Sequence, residues 1–465
     1  MIELNEYEKR KVGVLGLGKT GISVIRSLNC AKVIAWDDNS NLRSELINNE
    51  DPFFVSLNLA EIITDPLLKL WEEIEFLVVS PGIRIEGDNL HPLIKLAKSL
   101  NKKIICDIDL LFSHCPKSIY VGITGTNGKS TTTKLIGHIL SKNHVRSQVG
   151  GNIGIAALEL EPLAIDGTYV LELSSYQLDL IDKIHFSIAI LLNITKDHIE
   201  HHGSFEEYIK AKEKIFKNQN QNDIAIIGID TPEGAKIYRH LQKQSGAKII
   251  PISTDKILEY GVSVVEGFIH YNVGDESISL KFDNIASLPG KHNGENIAAA
   301  FATAMSYHIN PKKILASIID FPGIEHRIEY VATIDNIKFI NDSKATNYES
   351  TTKALAIFDN IYLIAGGIAK EGDINQLVEY LPKIKHMFLI GESQDLFAKF
   401  ATKHNVPHSK CENLEKAVNM AFKLAAENKE EDVILLSPAC SSLDQWKNFE
   451  ERGKAFCNYV KNLSK

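Results

Sequence analysis

The sequence predicts an α/β protein of three domains, each a largely parallel sheet with helices on its faces. Three observations carry that expectation. Two Gly-rich turns, Gly16-Leu-Gly18-Lys-Thr-Gly21 and Gly125-Thr-Asn-Gly128-Lys-Ser130, each follow a β-branched run and open a helical pattern. After Phe321-Pro322-Gly323 a further series of strand-like runs alternates with helices: Lys338 to Ile340, Ile361 to Ile364, Met387 to Ile390 and Asp432 to Leu436. Finally, 465 residues exceed one core, and at about 150 residues per domain they suggest roughly three. The expected limits are 1–110 for a Rossmann-like domain, 111–323 for a P-loop ATPase-like domain and 324–465 for a second Rossmann-like domain.

Composition narrows the function classes. With 51 basic against 59 acidic residues the net charge is −8, which argues against an electrostatic binder of nucleic acid or anionic membrane but allows local basic pockets. The start, MIELNEYEKRK, is charged and lacks an apolar signal core. No stretch approaches the roughly 18 unbroken apolar residues of a membrane span. A cytoplasmic protein without membrane insertion is expected. The six cysteines form no Cys-x-x-Cys pair, so buried thiols are expected rather than zinc knots or disulfides.

In the first domain Lys11 to Leu15 reads as a strand, Ile22 to Leu28 as the helix after the turn, and Lys32 to Trp36 as a strand ending in Asp37. The turn matches G-x-G-x-x-G with an acidic residue where a dehydrogenase would hold an adenosine ribose, which raises a nicotinamide-dependent oxidoreductase as one class. Glycines of this kind also serve plain helix packing. Phe76 to Val79, the turn Ser80-Pro81-Gly82 and a helix through Leu93, Ile94 and Ala97 continue the pattern.

The second turn is the more specific. Gly125 and Gly128 let backbone N–H groups approach an anion, and the helix bearing Leu135, Ile136, Ile139 and Leu140 points its N-terminal dipole there. Lys129 adds a positive charge and Ser130 a hydroxyl for Mg²⁺. Glu172 ends the buried run Tyr169 to Leu173, at the mouth of the sheet, where a carboxylate suits Mg²⁺ bridging phosphates. The run Phe186 to Asn193 leads to Thr195-Lys-Asp-His198 and then His201-His202. Three histidines in five positions invite zinc, but no cysteine or distant carboxylate motif supports it, and a surface His run is commoner. Ser204 to Phe216 is a lysine-rich helix. Asp223 to Ile227, Lys248 to Ile252 and a hairpin Phe268 to Phe282 around Gly274-Asp275 complete the sheet, and Asn293 caps an Ala-rich helix, Ile297 to Tyr307.

The loop Gly125-Thr126-Asn127-Gly128-Lys129-Ser130-Thr131, the turn Gly150-Gly-Asn152-Ile-Gly154, the string Asn193-x-Thr-x-Asp-His198 and two C-terminal strings, Asn341-Asp-Ser-Lys-Ala-Thr-Asn347 and Leu436 to Gly453, resemble the Mur ligases. These are ATP-dependent enzymes that form amide bonds through an acyl phosphate. Folylpolyglutamate synthases share the loop, but the C-terminal strings resemble the D-glutamate-adding branch of the Mur family. The resemblance covers essentially the whole chain. It implies a monomer that uses ATP and two Mg²⁺ ions to join D-glutamate to UDP-N-acetylmuramoyl-L-alanine in peptidoglycan synthesis.

Position by position, the resemblance places Leu17, Lys19, Thr20, Asp37, Ser80, Pro81, Gly82, Asn152, Ser174 and Gln177 at the UDP substrate. Asn39 stands where a basic residue is expected. The nucleotide falls to Gly125 through Thr131, Asn293, Asn296 at adenine, His326 and Arg327 at the phosphates, and Asp342 at the ribose. Ser130, Glu172, His198 and Lys212 as a carbamate hold metal; Lys129, His198, Lys212 and Lys344 serve the reacting groups. Thr346, Lys370, Ser442, the backbone of Leu443 and the ring of Phe449 take D-glutamate. Since ATP and glutamate ligands fall on different domains, closure is expected before chemistry. An oxidoreductase leaves the Gly-Lys-Ser loop and both C-terminal strings without a task. A nucleotide switch predicts slow hydrolysis indifferent to D-glutamate, and a sibling ligase would add another amino acid.

Overall fold

The computed structural model describes the chain except residues 51, 57, 88, 153, 164, 284, 286, 292, 370, 371, 429, 430, 464 and 465. Three sheets form. The first runs β2-β1-β3-β4, with β1 Lys11–Leu15, β2 Lys32–Trp36, β3 Phe76–Val79 and β4 Lys103–Ile105 all parallel.

The second contains β5 Ile119–Thr124, β6 Ser147–Gly151, β7 Thr168–Glu172, β8 Ile188–Leu191, β9 Ile224–Gly228, β10 Lys248–Ser253, β11 Gly261–Val265, β12 Phe268–Val273 and β13 Glu276–Lys281. Its order is β13-β12-β11-β10-β9-β8-β5-β7-β6, antiparallel only where β11, β12 and β13 pair. Strands β5, β7 and β8 are apolar along almost their whole length, as burial on both faces of a parallel sheet demands.

The third sheet, β14-β15-β19-β16-β17-β18, is built from β14 Glu329–Ile334, β15 Ile337–Asn341, β16 Ile361–Gly366, β17 Ile384–Ile390, β18 His408–Glu412 and β19 Asp432–Leu436. Only β14 is antiparallel to its neighbour.

Packing groups these sheets into two compact units, Met1–Asp283 with Lys291–Asp320, and Asn284–Gly290 with Phe321–Lys465. The first two sheets share a unit because one apolar cluster runs through both, from Val12, Trp71 and Leu77 through Ile108 and Leu111 to Tyr120, Leu158 and Leu171. Short elements stitch that seam: the Ile2 N–H donates to the Leu158 carbonyl at 2.8 Å. In the second unit one apolar cluster, with Leu363, Leu389, Phe397 and Leu435, lies on one face of the sheet. Another, with Phe339, Phe388, Ile434 and Phe456, lies on the other.

The strand runs read from the sequence appear within three residues of their expected limits, with informative differences. Gly150 and Gly151, expected in a flexible turn, end strand β6, and the Gly151 N–H donates to the Ile155 carbonyl at 2.9 Å. The run expected from Phe186 narrows to β8, because Phe186 packs across the sheet: a Cβ on Gly122 would stand 2.7 Å from its ring. The Ala-rich helix begins earlier, at Asn293.

Candidate active site

Strand β5 delivers the chain to the turn at Gly125, and Gly128, at φ +83°, caps the helix Lys129–Lys142 in the left-handed region. Space as well as conformation requires glycine there, since a Cβ would lie 2.3 Å from Asn296 Oδ1. That amide is fixed. Thr132 Oγ1 donates to Asn296 Oδ1 at 3.0 Å, and Asn296 Nδ2 donates to Asn293 Oδ1 at 2.9 Å. Asn296 is 2 % exposed, so it backs the loop from inside the unit. Gly128→Ala should therefore weaken binding of a non-hydrolysable ATP analogue at least about tenfold, from left-handed strain of about 1–2 kcal/mol plus displacement of Asn296. Calorimetry giving an unchanged Kd would remove Asn296 as the loop's support.

The front of the loop is tied to the segment after β8. The Asn127 N–H donates to Asn193 Oδ1 at 2.9 Å, Thr126 Oγ1 donates to the Thr195 carbonyl at 3.1 Å, and the Tyr208 hydroxyl lies 3.0 Å from Thr126 Oγ1. Lys129 Nζ curls back to donate to the Gly125 and Thr126 carbonyls at 2.8 and 2.9 Å. Asn193 in turn donates to Glu295 Oε2 at 2.6 Å, and burial pushes the Glu295 carboxyl up to about 7. Sequence reasoning gave no role to Asn193 or Glu295. Their only signal was their place in the sequence, Asn193 opening the Asn-x-Thr-x-Asp-His string and Glu295 standing between Asn293 and Asn296.

Behind Gly125 lies Lys212, 1 % exposed, whose Nζ donates to the Gly125 carbonyl at 2.9 Å and sits 4.7 Å from the centre of the Tyr208 ring. Burial, reinforced by the charge of Lys129, lowers its pKa to about 7. Glu172, at the end of β7, is 3 % exposed. Its Oε1 accepts from Asn152 Nδ2 at 3.0 Å, while Oε2 is buried with no hydrogen-bond partner among the described residues. A buried carboxylate oxygen in that state is costly unless a cation meets it, so this oxygen-rich corner fits a hard divalent ion. His198 is half exposed, in a left-handed conformation (φ +52°), its ring 5.1 Å from that of Tyr176.

Ser174 and Gln177 form a reciprocal cap on the helix Ser175–Leu180: the Gln177 N–H donates to Ser174 Oγ at 3.2 Å and the Ser174 N–H to Gln177 Oε1 at 3.0 Å.

The first sheet places its expected residues together at the carboxyl ends of β1, β2 and β3. Gly21 lies so close to the turn that a Cβ would fall 1.8 Å from the Gly16 carbonyl oxygen. Asp37 is spent on the backbone: Oδ2 accepts from the Leu17 N–H at 2.7 Å and Oδ1 from the Asn39 N–H at 2.9 Å. Leu17 itself is buried, Ser80 Oγ donates to the Gly16 carbonyl at 3.1 Å, and Lys19 Nζ donates to the Gly154 carbonyl. Thr20 and Pro81 are half-buried and Gly82 exposed. Asn39 caps the next helix, its Oδ1 accepting from the Asn41 and Leu42 N–H groups. Besides Lys19, Arg43 is a basic side chain near this turn; it lies over the Trp36 ring at 4.0 Å and donates to the Asp37 carbonyl.

In the second unit His326, Arg327, Asp342, Lys344 and Phe449 converge. Asp342 is 4 % exposed; Oδ1 accepts from the Ile328 N–H at 3.2 Å, Oδ2 from Ser437 Oγ at 2.8 Å, and burial pushes the carboxyl up to about 7 despite the charge of Arg327. His326 is buried, facing Asn341 Nδ2 at 2.9 Å and the Phe449 ring at 6.3 Å. Lys344 Nζ stands 5.6 Å over that ring. Thr346 is half-buried, Ser442 is buried and Leu443 is exposed, while Lys370 lies outside the described residues. A residue without a role in the sequence reading ties these strings together. Arg452, fully buried, donates to Ser343 Oγ at 3.0 Å, to the Ser343 carbonyl at 2.9 Å and to the Cys440 carbonyl at 3.1 Å.

Against known families, residues 123–304 match the Mur ligase middle domain and residues 326–440 the Mur ligase glutamate ligase domain. A Rickettsia prowazekii (strain Madrid E) protein named UDP-N-acetylmuramoylalanine--D-glutamate ligase is 42 % identical over 98 % of this chain and 99 % of its own. The chain belongs to the Mur ligase family. A Rhodospirillum rubrum protein of the same name is 40 % identical over 100 % of this chain and 97 % of its own. Among solved structures, the UDP-N-acetylmuramate-alanine ligase MurC of Thermotoga maritima aligns with TM-score 0.58 at 16 % identity, over 98 % of this chain and 100 % of that one. MurF of Acinetobacter baumannii aligns with TM-score 0.59 at 16 % identity, over 87 % of each. These two share the Mur ligase fold. The loop, Glu172, His198, Lys212, Asn293 and Asn296 lie within the matched middle domain; Ser442, Leu443 and Phe449 lie just beyond the second match.

Proposed function

We propose that this Mur ligase joins D-glutamate to UDP-N-acetylmuramoyl-L-alanine with ATP, giving ADP, phosphate and a new amide. The reading is carried by full-length likeness, at 42 % identity, to a relative bearing that enzyme's name. In the reaction a carboxylate oxygen of the alanyl group attacks the γ-phosphorus of ATP and ADP leaves. The amine of D-glutamate then attacks the acyl carbon, phosphate leaves, and the amine loses a proton.

The first step brings anions together. Lys129 and the N–H groups from Gly128 to Thr131 neutralise the triphosphate, while Arg327 and Lys344 carry charge for the transferred phosphoryl group. Asn293 and Asn296 support the nucleotide, with Asp342 at its ribose and His326 beside it. Two Mg²⁺ ions fit the donors, one at Ser130 and Glu172 and one at His198 and a Lys212 carbamate; when bound they offset charge on the phosphates as it shifts. The chain's part is to keep Glu172 Oε2 dry and Lys212 able to lose its proton.

The turn between β1 and its helix, with Leu17, Lys19, Thr20, Asp37 and Ser80 to Gly82, takes the uridine diphosphate, and Arg43 supplies the cation that Asn39 cannot. Asn152, Ser174 and Gln177 face the muramoyl end. Thr346, Lys370, Ser442, Leu443 and Phe449 receive D-glutamate, holding both carboxylates while the amine stays free to attack. A single chain carries every group named, which supports a monomer. The unpaired cysteines support a cytoplasmic setting, and among the described residues no helix is long and apolar enough to cross a membrane.

The test is phosphate release with UDP-N-acetylmuramoyl-L-alanine against a panel of amino acids. Release is expected only when ATP, the UDP substrate and D-glutamate are all present. Equal release with L-glutamate, L-lysine or diaminopimelate, or steady hydrolysis without any amino acid, would overturn the reading.

A further inference from the structure

The histidine run has a carboxylate that its own sequence neighbourhood conceals. The helix Ser175–Leu180 brings Asp179 beside His201 and His202, and one ligand atom from each of the three lies within 4.8 Å of the others. His202 Nδ1 is 3.3 Å from Asp179 Oδ2. Bonds of about 2.0–2.1 Å from nitrogen and oxygen to a tetrahedral ion separate its ligands by roughly 3.3 Å, so this pair already stands at the spacing a bound ion would impose.

The far side of each of these two groups is held. His202 Nε2 is 2.9 Å from the buried Ser175 Oγ, which turns Nδ1 toward Asp179. Lys214 Nζ donates to Asp179 Oδ1 at 2.9 Å, leaving Oδ2 to face the imidazole. Outer hydrogen bonds of this kind orient metal ligands. His201 completes the set, its ring 4.9 Å from that of His202 and packed 4.1 Å from that of Tyr176. Burial lowers the pKa of both histidines, which favours the neutral imidazole that a metal requires.

We propose that Asp179, His201 and His202 bind one borderline-soft divalent cation, Zn²⁺ or a similar transition-metal ion, at a site separate from the oxygen donors around Glu172. Two imidazoles and one carboxylate select such an ion over Mg²⁺, which prefers oxygen throughout, and three protein ligands leave a fourth position for water. Tyr176 couples the site to its neighbourhood, because its ring meets that of His198 at 5.1 Å as well as that of His201. A bound ion therefore stiffens the segment that presents His198.

The experiment titrates Zn²⁺ calorimetrically into the full-length protein in millimolar Mg²⁺, and repeats the titration with Co²⁺ to read its visible absorption. Wild type should bind one ion, and Co²⁺ should show the intense bands of four-coordination. His201→Asn and Asp179→Asn should each weaken binding at least tenfold, while Glu172→Gln leaves it unchanged. A readout independent of the variants' folding is histidine acylation of the wild type by diethyl pyrocarbonate, read by mass spectrometry, in which Zn²⁺ should protect His201 and His202. Equal binding by wild type, His201→Asn and Asp179→Asn, loss of binding in Glu172→Gln, or unprotected His201 and His202 would each overturn the proposal.

Discussion

Lys212→Ala is expected to lose at least about a hundredfold in turnover, the scale of removing one preorganised electrostatic group, and to regain part of it in millimolar acetate or formate. The reason is the lysine's setting. An ammonium 1 % exposed, near Lys129, is held against its charge, and the pKa falls from an ordinary 10.5 to about 7. A neutral amine attacks the carbon of CO₂, a proton leaves, and the carbamate presents anionic oxygens where the ammonium would repel a metal. A small carboxylate entering the space left by Lys212→Ala restores oxygen donors, whereas an ammonium salt should not.

The same setting fixes the direction of a pH effect. Between about pH 7 and 10.5 the unfolded chain keeps this proton and the folded chain does not, so the unmodified lysine's penalty on folding shrinks as pH rises across that window. In buffers free of CO₂, denaturant unfolding should show wild type gaining stability relative to Lys212→Met between pH 7 and pH 9. Parallel behaviour of the two proteins, or failure of every small carboxylate to rescue, would remove Lys212 from the role given.

How far the sequence could be read depended on whether a signal was local. Strands β5, β7, β8 and β19, buried from both faces, announce themselves as β-branched runs. The strands not read as strands are mostly edges: β4, β6, β14 and β18 each end a sheet, and half-exposed sequences such as His408–Glu412 lack the apolar period. The two compact units also depend on contacts no local pattern reports, since one apolar cluster joins the first two sheets. At the site, the turn and the helix after it were legible because the glycine and charge spacing that marks such a loop is local. What supports the loop was not: Asn193 and Glu295 meet from positions 102 residues apart, and Arg452 reaches Ser343 across 109. Asp179 beside the histidines is hidden in the same way.

Lys129→Ala should abolish measurable turnover, at least about 10³-fold, while weakening ATP binding far less. The start of the helix Lys129–Lys142, with its N-terminal dipole, should still hold the phosphates in the variant. The ammonium's larger service is expected as charge migrates during attack on the γ-phosphorus. Lys129→Arg should not restore activity, because a planar fork cannot take the position from which one Nζ donates to both the Gly125 and Thr126 carbonyls. A second consequence separates this account from a purely local one. The charge of Lys129 helps lower the pKa of Lys212, so removing it should raise that pKa and reduce the neutral fraction available for carbamylation near pH 7. The two substitutions should then be strongly non-additive, the double variant losing far less than the product of the single losses. Single-turnover phosphate release by the two single variants and the double variant measures this directly, and additive losses would show that the two lysines act independently.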